Sequence, residues 1–242
     1  MAQVLAERHL ASGHVAWVAM SEVIDGDMAI GNLSTRKKSI QEASQSLMER
    51  NAGLTIPSSQ HWSFLTQVHG ERSIQVEANE AITGLEGDAL VTTQVGKVLT
   101  IQVADCVPIS LISENGAIAV VHAGWRGLIN GVIESASQEL ERKASGNQVA
   151  IIGPHIGSCC YEFGRQDLEQ FVKLFGSLVI GNTNSSSPSL NLLTIVQLIL
   201  RKKSIGLIHV DNSCTSCDPK FWSYRANRTQ KRQCLFAWLE KN

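Results

Sequence analysis

Two periodicities alternate along this chain. Trp62, Phe64, Thr66 and Val68 fall on every second position. That spacing puts side chains on one face of a strand and predicts a strand over residues 61–69, running into His69-Gly70. Residues 98–103 (VLTIQV) and 107–112 (VPISLI) are apolar runs on either side of Ala104-Asp105-Cys106, and residues 117–122 (AIAVVH) form a third. Short runs of this kind predict strands covered on both faces. After the glycine-bracketed AGWRG, Leu128, Val132, Ala136 and Leu140 recur every four residues and predict a helix from about 126 to 143. Further strands are expected at 148–152, 207–211 and 233–239, and a helix at 166–175. Residues 189–203 carry the fullest set of helix signals. Ser187 serves as cap, Pro188 sits in the first turn, Arg201, Lys202 and Lys203 favour the last turn, and Gly206 follows as a stop. The class is α/β. The stretch 181–189 (GNTNSSSPS) is too short to separate two units, so residues 1–242 are expected to form one domain.

Composition narrows the functional classes. A chain of 242 residues is expected to expose about 10,600 Å² when folded and to bury about 70% of its unfolded surface, enough for a core without staples. Hydrophobic residues at 43% and charged residues at 18% exclude a disordered or collagen-like chain. With 21 basic and 22 acidic residues the net charge is −1, which argues against a general nucleic-acid binder. Glu7, Arg8 and His9 stand where an export signal needs an apolar run. No segment offers the ~18 uncharged apolar residues of a membrane span. A soluble cytoplasmic protein is expected, with no membrane, nucleic-acid or obligate protein partner, and with its six cysteines reduced.

The chemistry gathers at strand ends. His69 lies in Gln67-Val68-His69-Gly70, Cys106 follows Asp105 where a polar pair interrupts apolar sequence, and His122 opens His122-Ala123-Gly124-Trp125-Arg126-Gly127. Burying a carboxylate costs several kcal/mol unless it is hydrogen-bonded, so Asp105 requires partners. A glycine turn entering a helix presents free N–H groups and a positive dipole end. With the fork of Arg126 it suits an anion, phosphate or carboxylate. Two imidazoles and one thiolate suit Zn²⁺ with a fourth position open; copper fits the same donors. The plainer alternatives are a loop histidine, a core cysteine and a solvated Arg126. Cys159-Cys160 with Cys214-x-x-Cys217 can in principle bind a structural zinc, but a vicinal pair is poor chelating geometry, so reduced thiols dispensable for turnover are expected. In Phe221-Trp222-Ser223-Tyr224-Arg225, Tyr224 and Arg225 can line a pocket for a flat ring; an aromatic strand face in the core is the alternative.

Taken in order, QVHG (67–70), GDALVT (87–92), ADCVPI (104–109), HAGWRG (122–127), GPHIGSCCYEF (153–163) and CT…FWSYR (214–225) resemble the YfiH-like laccase-domain proteins. This family is also called the multicopper polyphenol oxidase or purine nucleoside phosphorylase family. The resemblance spans about residues 62–239. It implies that His69, Cys106 and His122 form the catalytic and metal-binding centre, with Zn²⁺ as cofactor and Cu²⁺ as the alternative. It implies a three-layer α/β body, a central mixed sheet flanked by helices, similar to the catalytic domain of a CNF-type deamidase toxin. The implied activities are phosphorolysis of adenosine, inosine and methylthioadenosine, using a nucleoside and phosphate, together with adenosine deamination. Copper-dependent phenol oxidation and editing of peptidoglycan precursors are attributed to members as well. The latter would use Cys106 as nucleophile with His122 or His69 as base.

The chain departs from this pattern in places. Residues 14–24 lack the family's arginine, and only GDMAIGNLS (26–34) is reminiscent of that region. Ala226 stands where a second arginine follows SYR, Thr229-Gln230-Lys231-Arg232 replaces a TGR segment, and Cys217 lies outside the pattern. Lost arginines near a pocket would alter anion binding.

Overall fold

A computed structural model describes residues 1–29, 33–51, 53–77 and 81–242. Residues 30–32, inside the GDMAIGNLS segment, therefore lie outside the described residues. Among the described residues, two six-stranded mixed sheets carry the fold. The first runs, edge to edge, β1 (Gln3–His9), β2 (His14–Met20), β14 (Gln233–Lys241), β7 (Val98–Val103), β3 (Trp62–Thr66) and β5 (Thr83–Glu86). The second runs β13 (Gly206–Val210), β10 (Gln148–Ile152), β8 (Val107–Ser113), β9 (Ala117–Ala123), β6 (Ala89–Thr92) and β4 (Ser73–Gln75). A small hairpin joins β11 (Ile180–Asn182) to β12 (Pro188–Leu190). The helices are α1 (Leu33–Arg50), α2 (Trp125–Asn130), α3 (Val132–Lys143), α4 (Arg165–Phe175), α5 (Leu192–Lys202) and α6 (Tyr224–Asn227).

The α/β class and the flanking helices are as the sequence led us to expect; the expected central sheet is here a face-to-face pair. Val18, Ile101 and Leu235 of the first sheet meet Leu90, Ile118, Val120 and Ile151 of the second in one apolar layer. α1 covers the outer face of the first sheet, placing Ile40, Ala43 and Leu47 against Trp62, Phe236 and Trp238. α3, α4 and α5 cover the outer face of the second. Strands β7 to β10 are thus buried on both faces at every residue. This is why they read as continuous apolar runs and not as alternations. The folded surface is 10680 Å², close to the ~10,600 Å² expected from chain length.

Two local expectations are revised, and one alternative falls away. The helix expected over 126–143 is broken at Gly131, whose left-handed backbone (φ 91°) ends α2 and opens α3. Leu128, Val132, Ala136 and Leu140 still share the buried face, so the four-residue spacing survives the break. The helix expected from 189 begins at Leu192. Asn191, not Ser187, caps it by accepting a hydrogen bond from the Thr194 amide at 3.0 Å. Pro188 lies in the hairpin, where Ser189 and Leu190 are buried. The aromatic segment 221–225 is not a strand: Ser223 caps α6, accepting from Ala226 N at 3.1 Å. No helix among the described residues is long and apolar enough to cross a membrane.

Candidate active site

The site lies at a common end of the two sheets, and strand register accounts for its parts. The β8–β9 ladder pairs Val107 with Ala123 and Pro108 with His122, so Cys106, one residue before β8, faces Gly124. The β6–β9 ladder pairs Ala89 with Val121, and one step further the His122 amide donates to the Asp88 carbonyl at 2.7 Å. Cys106 itself sits where the chain crosses from β7 in the first sheet to β8 in the second. His69 arrives from the first sheet. There β3 ends at Thr66, short of the strand expected to reach His69, because the Gln67 side chain takes over the pairing with β7. It donates to Gln102 O and accepts from Gln102 N, both at 2.8 Å.

Asp88 organises the imidazoles. Its carboxylate is fully buried. One oxygen accepts from the His69 amide (3.0 Å) and from His122 Nδ1 (2.8 Å). The other accepts from the amides of Val68 (3.2 Å) and Gly70 (2.7 Å). These bonds bend the chain around the carboxylate and hold His69 at a positive φ of 59°, a region that non-glycine residues seldom adopt. They also fix the His122 tautomer, leaving its Nε2 free for a ligand. Burial alone would raise Asp88, but His122 and the Gly70 and Val68 amides hold it below the usual carboxylate range. In the sequence Asp88 is only one residue of GDALVT. Its available signal was a lone acid entering an apolar strand.

His69, Cys106 and His122 converge, with their ligand atoms within 4.8 Å of one another. Cys106 Sγ stands 3.8 Å from His69 Nε2, against about 3.5 Å for a nitrogen and a sulfur sharing one tetrahedral zinc. Donor types and spacing therefore fit a single ion. Burial opposes a charged Cys106, yet the facing His122 and the hydrogen bonds of both imidazoles bring it down to about 6. Burial likewise opposes a charged His122, but the Cys106 thiolate and the Asp88 bond push it up to about 9. Gly124 makes room for the trio. A Cβ there would lie 2.8 Å from His69 Cδ2 and 3.1 Å from Cys106 Sγ.

Asp105 has the partners it requires. Its carboxylate accepts from Thr215 Oγ1 at 2.7 Å and from the Arg225 amide at 2.6 Å, and it too is held at positive φ, 104°. Strained backbone of this kind persists where surrounding bonds over-determine it. Through the Arg225 amide, Asp105 anchors α6 at the rim of a cleft of about 740 Å³. His69, Cys106 and His122 line that cleft, together with Trp125, Tyr161, Tyr224, Arg225, Arg228 and Arg232. Tyr224 and Arg225 both line this cleft. Arg126 is exposed, with its guanidinium over the ring of the cleft residue Trp125 at 4.3 Å and close enough to Tyr161 to favour its ionised form. Arg228 and Arg232, which follow α6, add two guanidinium groups to the cleft. Sequence reasoning missed them, and also Tyr161, whose ring packs under the Arg225 guanidinium at 4.8 Å. The remaining cysteines lie outside this cleft. Cys159, Cys160, Cys214 and Cys217 form a second group whose sulfurs lie within 4.8 Å of one another, although a vicinal pair promised no such convergence. All six cysteines are free thiols.

Comparison with known proteins agrees with this architecture. The crystal structure of Bacillus licheniformis hypothetical protein YfiH superposes with a TM-score of 0.75 over 96% of this chain and 98% of that one, at 21% identity. A purine nucleoside phosphorylase of Xylella fastidiosa is 32% identical over 196 residues, 77% of this chain and 74% of that protein. One of Aquifex aeolicus is 33% identical over 152 residues, 61% and 68% of the respective chains. Residues 21–240 match the family described as multi-copper polyphenol oxidoreductase laccase. With nearly its whole length covered, this chain belongs to that family.

Proposed function

We propose that the cleft phosphorolyses purine nucleosides, with adenosine, inosine and methylthioadenosine as substrates and Zn²⁺ held by His69, Cys106 and His122. The observation that carries this reading is the convergence of that trio at the base of a cleft lined by aromatic rings and guanidinium groups. The names of the aligned relatives point the same way. Bound there, Zn²⁺ would supply Lewis-acid polarisation of a substrate oxygen. The chain's own groups do the rest. In phosphorolysis a phosphate oxygen bonds to the anomeric carbon, the glycosidic bond breaks, and the purine leaves with that electron pair. Arg225, Arg228 and Arg232 offer charge-assisted donors to the phosphate, and Arg126, over Trp125, is a fourth candidate. Trp125 and Tyr224 offer faces to the purine ring. Burial and the nearby Cys106 thiolate push the Tyr161 phenol up, so it remains a hydrogen-bond donor for the departing base. Asp88 orients His122. Adenosine deamination, with water in place of phosphate, is proposed as an accompanying activity of the same cleft.

The test is purine release from the three nucleosides against phosphate concentration. Loss of one charge-assisted bond, ~1.5–3 kcal/mol, should raise KM for phosphate roughly 10- to 150-fold in Arg228→Ala. The same measurement on Arg126→Ala, whose guanidinium lies over Trp125, tests the fourth arginine. Phosphate-independent inosine formation from adenosine reports the deamination. Absence of any phosphate-dependent purine release from the zinc-loaded protein would refute the reading.

A second reading rests on one specific observation: Cys106, His122 and Asp88 also form a thiol–imidazole–carboxylate series. Without metal it would suit a cysteine hydrolase acting on an amide such as a peptidoglycan precursor. Stoichiometric metal in active protein decides against it, because a thiolate engaged by zinc is a poor nucleophile. Copper oxidation of phenols has less support. Two imidazoles and a thiolate make one mononuclear site, and among the described residues the other donor group is made of cysteines alone.

A further inference from the structure

Outside the cleft, two loops bring four cysteines together. Cys159 and Cys160 lie in a turn closed by the Cys160 amide on Gly157 O at 3.0 Å. Cys214 and Cys217 lie in another, where the amides of Cys217 and Asp218 both reach Cys214 O at 2.9 Å. The turns are tied by a short parallel bridge between His155 and Cys214. Within the group, Cys217 Sγ is 3.8 Å from Cys159 Sγ and 3.3 Å from Cys160 Sγ. The Gly157 amide donates to Cys214 Sγ at 3.2 Å. A side chain at Gly157 would fill the space the sulfurs occupy, since its Cβ would stand 3.0 Å from Cys159 Sγ and 3.5 Å from Cys214 Sγ.

We propose that Cys159, Cys160, Cys214 and Cys217 bind a second metal ion, a structural Zn²⁺ in a tetrathiolate site. Four sulfurs 2.3 Å from one tetrahedral zinc lie about 3.8 Å apart, which is the scale of the distances here. An iron–sulfur cluster spreads its thiolates over several irons and needs wider spacing. A disulfide requires about 2.05 Å and joins only two of the four. The vicinal pair is no obstacle, because the turn at 158–160 aims both sulfurs at Cys217. Zinc suits four thiolates without imposing a further geometric demand. The ion would join the loop that ends in Tyr161 to the turn that carries Thr215. Cys160 adjoins Tyr161 of the cleft, and Cys214 adjoins Thr215, whose hydroxyl holds Asp105. The site would therefore act as a brace behind the cleft, with no part in bond making.

The experiment compares wild type with Cys217→Ser, whose side chain is exposed, both purified without oxygen and loaded with Zn²⁺ alone. Elemental analysis should show the variant short by about one equivalent. Because the result is a difference, it holds whether or not His69, Cys106 and His122 bind their own ion. Cys106→Ala should keep the equivalent that Cys217→Ser loses. Co²⁺ in the intact wild type gives an independent readout: intense thiolate-to-cobalt charge transfer that persists in Cys106→Ala and collapses in Cys217→Ser. Equal zinc in wild type and Cys217→Ser, or a Cys160–Cys217 disulfide in the anaerobic protein, would overturn the proposal.

Discussion

Asp88→Asn removes one oxygen acceptor from a buried centre that serves four donors. Each carboxylate oxygen accepts two bonds, one from His69 N and His122 Nδ1, the other from the Val68 and Gly70 amides. An amide NH₂ in either place leaves two donors facing a donor. A buried unsatisfied donor costs about 1–3 kcal/mol, so the loss should be about 2–6 kcal/mol, a large share of an ordinary domain's stability. If the NH₂ takes the place beside His122, relief comes by moving the imidazole proton to Nε2, which is the nitrogen the metal needs. Either orientation loosens a ligand loop, so zinc affinity should fall about 10- to 100-fold, the usual effect of losing a histidine's supporting carboxylate. Competition against a chelator measures affinity, and urea unfolding of the metal-free protein measures stability. A variant within three-fold of wild type in affinity, with an unchanged unfolding midpoint, would refute the role assigned to Asp88.

Gly124→Ala changes no backbone preference, since Gly124 has φ −77°, but its Cβ intrudes on His69 and Cys106. Zinc affinity should drop about 10- to 100-fold while unfolding weakens by only about 1–3 kcal/mol; intact affinity would mean the ligands move aside freely. In metal-free protein, Cys106 should react with iodoacetamide at a rate that climbs as pH rises through about 6 and levels off above it, because the thiolate is the reactive form. Zinc should suppress that labelling, followed by mass spectrometry of the Cys106 peptide, and a midpoint above pH 8 would contradict the paired imidazoles.

Much of this protein is legible in its sequence, because hydrophobic period and strand-end chemistry are local. The apolar runs at 98–103, 107–112 and 117–122 located β7, β8 and β9, and the spacing from Leu128 to Leu140 located the buried face of α2 and α3. His69, Cys106 and His122 stood out as ligand types at the ends of such runs, and burial cost alone required partners for Asp105. Other features depend on how distant segments meet. Splitting the strands into two facing sheets is a matter of pairing between residues far apart in sequence, which no local period encodes. Asp88 gains its role only when the β6–β9 register sets it against His122. Arg228 and Arg232 reach the cleft because chain direction after a short helix decides where a long side chain points. The four sulfurs, 57 residues apart along the chain at Cys160 and Cys217, meet only because β10 and β13 pair in parallel and carry both following loops to the same edge.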